Sequence, residues 1–322
     1  MPMLIWLAVL AGALLVLVKA ADVFTDGAEA VGLSLGLPPY VVGVTIVAVG
    51  TSLPELVSSV IAVVRGNPEI VLGNVVGSNI ANILLVLGIA AILGRRMTAT
   101  WEILHVDLPL LVSSAFLLAI VAWDGGVTLA ESLACILGTV IYVTYALNMS
   151  LRREGRHADL EQSVEEELGA ERGRISSSVW LKLAFGAVGV YFGAEYTVRG
   201  VIELAAIFGV ATDFIAISAV ALGTSLPELA VSITAARKGN LEVAIGNVLG
   251  SSVFNSFAVV GVAGLFGTLV VAPTVSTLGL PIMVIATLLY FFMLQDREIT
   301  AWEGWMLVLF YAVFLVQLAM TV

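Results

Sequence analysis

Apolar residues run along this chain in long blocks separated by short polar punctuation. The blocks cover residues 3–33, 39–65, 69–93, 104–122, 127–149, 179–207, 212–237, 242–267, 275–294 and 301–321. Most reach the roughly 18–20 residues that carry a helix across about 30 Å of hydrocarbon. The pattern predicts an all-α polytopic membrane protein with ten transmembrane helices. The first block has no preceding positive charge and no small-residue cleavage site before a polar segment, so it reads as a retained helix and not as a signal peptide. One stretch is clearly polar: residues 151–178, carrying RREGRHADLEQSVEEELGAERGR. It is too short for a core of its own and reads as a solvated loop.

The two sets of five blocks repeat each other. GTSLPEL occupies residues 50–56 and again 223–229, 173 positions later. The same offset pairs Arg65-Gly66-Asn67 with Lys238-Gly239-Asn240, and Gly73-Asn74-Val75-Val76-Gly77-Ser78 with Gly246-Asn247-Val248-Leu249-Gly250-Ser251. It also pairs Asn82 with Asn255 and Gly88 with Gly261. Because five is odd, a repeat of five spans enters the membrane from the opposite side. The expected organisation is two inverted five-helix repeats, residues 1–150 (motif region 43–90) and 179–322 (motif region 216–263), joined by the 151–178 loop. Such architectures place a substrate site near mid-membrane where the repeats meet.

Positive charge supports the inversion. With both termini outside, Arg95, Arg96, Arg152, Arg153, Arg156, Arg172, Arg174, Lys182, Arg237, Lys238 and Arg297 all fall on the cytoplasmic side. That is 11 of the 14 basic residues, as the positive-inside rule requires. The expected location is the plasma (inner) membrane, with the 151–178 loop in the cytoplasm.

Composition narrows the function. Residues are 60% hydrophobic and 12% charged, about half the charged share of a soluble domain. A net charge of −10 without a basic cluster argues against a nucleic-acid partner. Cys135 is the single cysteine and there are two histidines, which excludes an internal disulfide and leaves little for a zinc site. No prosthetic group and no obligatory protein partner are expected; the bilayer and inorganic cations suffice, and a monomer is compatible with all of this.

The repeated motifs carry the chemistry. Pro54 and Pro227 lack an N–H and crowd the carbonyls four residues back, at Gly50 and Gly223. Freed carbonyls are tolerated within lipid only when buried in protein or lining a wet cavity. Beside them stand the hydroxyls of Thr51, Ser52, Thr224 and Ser225, and then the carboxylates of Glu55 and Glu228. All are hard oxygen donors suited to Ca²⁺ and Na⁺ and poorly suited to zinc or copper. Acids at mid-span are costly and usually mark ion paths. In the second motif, glycines four apart permit close helix packing, while Ser78 and Asn82, and Ser251 and Asn255, share one helical face. Asn74 and Asn247 lie on the same stripe and serve equally well as bonds to exposed helix ends.

The paired GTSLPE and GNxxGS motifs resemble the two alpha repeats of the cation/calcium exchanger superfamily, in particular its sodium/calcium exchanger branch and compact prokaryotic members. The resemblance implies ten helices, the second, third, seventh and eighth broken around four cation positions. It implies a calcium position bounded by Glu55, Glu228 and the carbonyls of Thr51 and Thr224. Flanking sodium positions are implied at Ala48, Ser52 and Ser78 on one side and at Ala221, Ser225 and Ser251 on the other. It further implies that the first and sixth helices slide across the rest during exchange. Many relatives carry aspartate at the position of Asn255. Here both central residues, Asn82 and Asn255, are amides, so the cage holds two formal negative charges. Ca²⁺ would neutralise them and three Na⁺ would leave +1.

The expected function is therefore secondary active antiport of Ca²⁺ against Na⁺ by alternating access, with no enzymatic activity. A Ca²⁺/H⁺ antiporter using the same glutamates as proton carriers is the runner-up, and a calcium channel is a further rival. Gly32-Leu33-Ser34-Leu35-Gly36 matches G-x-S-x-G, but a hydrolase needs a strand-to-helix elbow and a histidine partner. Asp22, Asp26, Glu29, Glu195, Arg199 and Glu203 read as ion-pair stripes near the interface. Trp6, Trp101, Trp180, Trp302 and Trp305 suit interfacial belts.

Overall fold

A computed structural model of the chain describes residues 2–35, 37, 39–94, 96–98, 107–153, 177–207 and 225–321. Its helices are α1 (Pro2–Ser34), α2 (Tyr40–Val64), α3 (Glu69–Gly94), α4 (Leu108–Val121), α5 (Leu129–Arg153), α6 (Ser177–Ile207), α7 (Leu226–Arg237), α8 (Leu241–Gly264), α9 (Val275–Asp296) and α10 (Ala301–Thr321). All but α4 and α7 are long and apolar enough to cross a membrane. Helix α4 has 14 residues, about 21 Å at 1.5 Å per residue. The earlier part of the seventh expected span, 212–224, lies outside the described residues, as do 154–176 of the polar loop. Helix α5 runs to Arg153, a turn past the boundary expected at 150.

Helices α1 and α6 pack against each other antiparallel. A Cβ on Gly186 would lie 2.7 Å from the Phe24 backbone, and one on Gly193 would lie 2.7 Å from Cα of Leu17. Gly27 packs on Leu183 and Gly200 packs on Leu10. Leu10 and Gly27 become Leu183 and Gly200 when 173 is added, so the two contacts are the same contact seen from either repeat. Small residues let these helices approach at backbone distance, as expected where association within lipid depends on close packing.

Four short strands repeat this exchange. Strand β1 (Arg96–Thr98), after α3, pairs antiparallel with β4 (Glu298–Thr300), before α10. Strand β2 (Gly126–Val127), before α5, pairs with β3 (Leu269–Val270), after α8. Each half thus supplies one strand to each ribbon. Capping boxes start the last helix of each half. Glu131 accepts from the Thr128 N–H at 2.7 Å, and Glu303 accepts from the Thr300 N–H at 2.7 Å.

The α2–α3 and α7–α8 turns also match. Gly66 and Gly239 take φ of 82° and 81°, the left-handed region that glycine enters without strain. The Asn67 N–H reaches the Ala62 carbonyl and the Asn240 N–H reaches the Ala235 carbonyl, both at 2.9 Å. The second turn is tied to α1: Lys238 Nζ lies 2.6 Å from Asp26 Oδ1, and Asn240 Nδ2 donates to Glu29 Oε1 at 2.6 Å. On α6, Glu195 and Arg199 pair with each other at 2.7 Å. The acidic stripes therefore form polar contacts, as expected. Ser34 lies in the last turn of α1 with its hydroxyl on the Val31 carbonyl, so the G-x-S-x-G match is helix and not an elbow. Trp180, Trp302 and Trp305 are exposed.

The breaks implied in the second, third and eighth helices do not occur in the described residues. Each helix runs through and carries a π-turn instead: Gly43–Val47 in α2, Ala81–Val86 in α3 and Asn255–Val259 in α8. A π-turn admits one extra residue without ending the helix, which redirects side chains and loosens backbone pairing at lower cost than a gap.

Candidate ion-binding site

The four helices bearing the repeated motifs are brought together at the centre of the molecule. Helix α8 packs along the π-turn of α2 and against α7, and α7 packs on the π-turn of α3 that begins beside Asn82. The π-turn that begins with Asn255 packs on α2 and α3. Each repeat's asparagine turn thus adjoins a helix of the other repeat that carries a glutamate.

Contacts between the motifs cross from one repeat to the other. The Ser52 hydroxyl donates to Glu228 Oε1 at 3.0 Å. The Thr51 hydroxyl donates to Asn247 Oδ1 at 3.2 Å and lies 3.4 Å from Ser251 Oγ. Both Thr51 and Ser251 also reach the Ala48 carbonyl, at 3.3 Å and 3.4 Å. Asn79 Nδ2 donates to Ser256 Oγ at 2.8 Å. Ser251 thus stands beside Ala48, two residues that the resemblance assigned to opposite sides.

Glu55 and Glu228 are both 0% exposed, and each lies within the other's electrostatic reach. Around them is a concentration of unmatched hydrogen-bonding capacity. Both oxygens of Glu55, Glu228 Oε2, Ser225 Oγ and the side-chain oxygen and nitrogen of Asn82 and Asn255 are buried without a hydrogen-bond partner among the described residues. Leaving a buried polar group unpaired costs roughly 1–3 kcal/mol, and more when it is charged. Six of these eight atoms are oxygens, and a hard cation with an oxygen coordination shell matches such a lining. Among the described residues no three His, Cys, Asp or Glu side chains cluster, so the lining is mainly hydroxyl, amide and carbonyl.

Of the sequence-predicted residues, the structure links Ala48, Thr51 and Ser251, and Ser52 with Glu228, by direct contacts, and buries Glu55, Ser78, Asn82, Ser225 and Asn255 in the same packed unit. Ala221 and Thr224 lie outside the described residues. Asn74 and Asn247 do not cap helix ends. Each donates to a serine on the preceding helix, Asn74 to Ser59 at 3.4 Å and Asn247 to Ser232 at 2.9 Å. Those serines, also 173 apart, were missed; their signal was a second pair of polar residues repeated on the buried face just after each glutamate. Phe24 was missed too. Its ring lies over Gly50, where a Cβ would be 2.6 Å from Cζ. It shares a small pocket with Thr51, Pro54, Tyr191 and Pro227 between α1, α2, α6 and α7.

A family model described as sodium/calcium exchanger protein matches residues 5–148 and 178–320. The chain belongs to the sodium/calcium exchanger family. It is 34% identical to the sodium/calcium exchanger MaX1 of Methanosarcina acetivorans, over 95% of this chain and 96% of that one. It is 32% identical to the inner membrane protein YrbG of Escherichia coli, over 82% and 80% of the two chains. Among solved structures, the sodium-calcium exchanger NCX_Mj soaked with zero Na⁺ and Ca²⁺ superposes with a TM-score of 0.81 at 25% identity, covering 99% of this chain and 100% of that one. The same exchanger soaked with 2.5 mM Na⁺ and 0.1 mM Ca²⁺ gives 0.79 at 26% identity, with 98% of each chain covered. This member of the family is accordingly a multi-pass integral membrane transport protein, and MaX1 and NCX_Mj are both named as exchangers.

Proposed function

We propose that the chain is a secondary active antiporter that exchanges Ca²⁺ for Na⁺ by alternating access. The observation that carries this reading is the lining of unpartnered oxygens around Glu55 and Glu228, closed by Ser52 of one repeat bonding Glu228 of the other. Ca²⁺ takes the position between the two glutamates, with carbonyl oxygen from Thr51 and Thr224. Na⁺ takes flanking positions drawing on Ala48, Ser52, Ser78, Ala221, Ser225 and Ser251, with Asn82 and Asn255 as neutral central ligands. Divalent and monovalent ions compete because they share the glutamates. Full occupancy by one excludes the other, which is what obliges exchange.

Support for ten spans in two inverted repeats comes from three sides. Equivalent helices α1 and α6 run antiparallel. Equivalent strands β1 and β3 sit in separate ribbons, one reached before α4 and the other after it. In the ten-span assignment, 11 of the 14 basic residues fall on one side of the membrane, as the positive-inside rule requires. The tight glycine seam makes α1 and α6 one body. In our reading that body slides over the four motif helices and opens the glutamates to each side in turn, the pocket beneath Phe24 being one approach. The termini face outward and the 151–178 loop is cytoplasmic.

Proteoliposomes loaded in turn with Na⁺, Li⁺, K⁺ or acid buffer test the coupling ion. Only internal Na⁺ is expected to drive ⁴⁵Ca²⁺ uptake well above the empty-vesicle background. Uptake driven by a pH gradient without Na⁺ would favour Ca²⁺/H⁺ antiport instead, and uptake needing no counter-ion would favour a channel.

Topology has its own test. In a Cys135→Ala background, single cysteines replace Asn67 and Asn240, which are exposed or half-buried in the matching turns. A membrane-impermeant thiol reagent added outside whole cells is expected to label position 67 and spare position 240. Equal labelling from outside would contradict the inversion.

A further inference from the structure

We infer that Asn247 is a positioning residue for Na⁺, held by Ser232, and that it sets which way the hydroxyls of Thr51 and Ser251 point their protons. The inference rests on the exchange reading above and extends it to a residue that contacts no ion.

Asn247 is fully buried on α8 and uses both ends of its amide. Its nitrogen donates to Ser232 Oγ at 2.9 Å and to the Glu228 carbonyl at 3.4 Å, both on α7. Its oxygen accepts from Thr51 Oγ1 on α2 at 3.2 Å and from Ser251 Oγ at 3.4 Å. A backbone carbonyl can only accept, so the Glu228 contact demands the nitrogen on the α7 side. The oxygen is therefore turned toward α2. Ser232, itself 0% exposed, strengthens that choice with the shorter bond.

Thr51 and Ser251 each have one hydroxyl proton and three acceptors within reach: the Ala48 carbonyl, Asn247 Oδ1 and the other's hydroxyl oxygen. A cation drawn to the Ala48 carbonyl and the two hydroxyl oxygens takes up their lone pairs and repels any proton aimed among them. Both protons then turn to Asn247 Oδ1, which has two lone pairs to receive them. The hydroxyl oxygens are left facing the ion. A flipped amide would present N–H groups instead and force the protons back toward the cation. Ca²⁺, held chiefly by the two carboxylates, depends less on this arrangement. The amide thus favours Na⁺ occupancy at the flanking position through a hydrogen-bond orientation and not through a bond to the ion.

Asn74 and Ser59 repeat the arrangement in the other half, with a longer bond of 3.4 Å and an amide oxygen that is buried without a partner among the described residues. The version on Asn247, with both ends of its amide bonded, is the one to test.

The experiment measures half-saturation by Na⁺ and by Ca²⁺ in the same proteoliposome preparations of wild type, Ser232→Ala and Asn247→Leu. Ser232→Ala removes the shorter of the two bonds that orient the amide and is expected to raise the Na⁺ half-saturation concentration about threefold or more. Asn247→Leu removes the acceptor and should raise it further. The Ca²⁺ value should stay within about twofold of wild type in both. Threefold is about 0.7 kcal/mol at about 1.4 kcal/mol per tenfold, the scale of one buried hydrogen bond. A merely structural role would move both ions together. Equal shifts for Na⁺ and Ca²⁺, or no shift in either, would overturn the inference. Should Asn247→Leu fail to assemble, the Ser232→Ala ratio decides alone. A wild type without Na⁺-dependent uptake would instead sink the exchange reading, and this inference with it.

Discussion

Replacing either Glu55 or Glu228 by glutamine is expected to reduce Na⁺-driven Ca²⁺ uptake to the background of empty vesicles. The change is nearly isosteric, so its effect is mainly electrostatic. It removes one of two formal charges from a buried cage, where a lost anionic ligand weakens a divalent ion more than a monovalent one. The two positions should nevertheless differ in stability. Glu228 has Ser52 as a donor, whereas both Glu55 oxygens are buried without partners. Neutralising an unpaired buried carboxylate relieves a desolvation cost. The ion-free Glu55→Gln protein should therefore melt no lower than wild type even though it no longer transports. Purified protein with wild-type elution and melting, but no uptake, is the expected pattern. Retention of more than half the wild-type rate in either variant would remove the glutamates from the site.

The second large effect separates a packed glycine from an exposed one. Gly250→Ala is expected to damage folding, and Gly12→Ala to be tolerated. A Cβ on Gly250 would lie 2.7 Å from the Ala48 Cβ and 2.8 Å from the Val44 Cα, on the α2 π-turn. The obstruction is backbone and β-carbon, which cannot swing away as a long side chain can. Overpacking of this kind costs about 1–3 kcal/mol or more and would also push Ala48 from its place in the site. Gly12 is exposed on α1, and a Cβ there meets nothing within 4 Å among the described residues. The check is the yield of monodisperse protein and its melting temperature: both should fall clearly for Gly250→Ala and stay near wild type for Gly12→Ala. Indistinguishable behaviour of the two variants would contradict the packing described.

These glycines illustrate where the sequence was informative and where it was silent. Long apolar blocks made the helices legible, and helix bounds fall within a few residues of the block edges in most cases. Two copies of GTSLPEL made the glutamates and hydroxyls legible, because a costly mid-span acid repeated in register has no packing explanation. What the glycines of the second motif pack against was hidden, however. Gly246 and Gly250 meet the α2 backbone, and nothing in the letters names that partner, since it depends on how the halves dock. The π-turns were equally hidden. Asn82 and Asn255 were read on a regular helical face, yet each stands where the winding changes, and winding depends on neighbouring helices more than on local propensity.

The roles of Asn74 and Asn247 were half legible. Their place on the polar stripe was clear from four-residue spacing, but their partners sit on the preceding helix and become visible only once it folds back. Lys238 and Asp26 are a similar case, being 212 positions apart and joined only by the docking of α1 on the α7–α8 turn. Sequence spacing reports contacts within an element. Contacts between elements become legible only where a repeat supplies both partners, as it did for the α1–α6 seam.

The central claim is tested most directly by following ²²Na⁺ and ⁴⁵Ca²⁺ together in one population of proteoliposomes. The account predicts that Na⁺ leaves as Ca²⁺ enters, in a fixed ratio, and that Glu55→Gln abolishes the two fluxes together. Ca²⁺ entry that continues with no matching Na⁺ exit would contradict it.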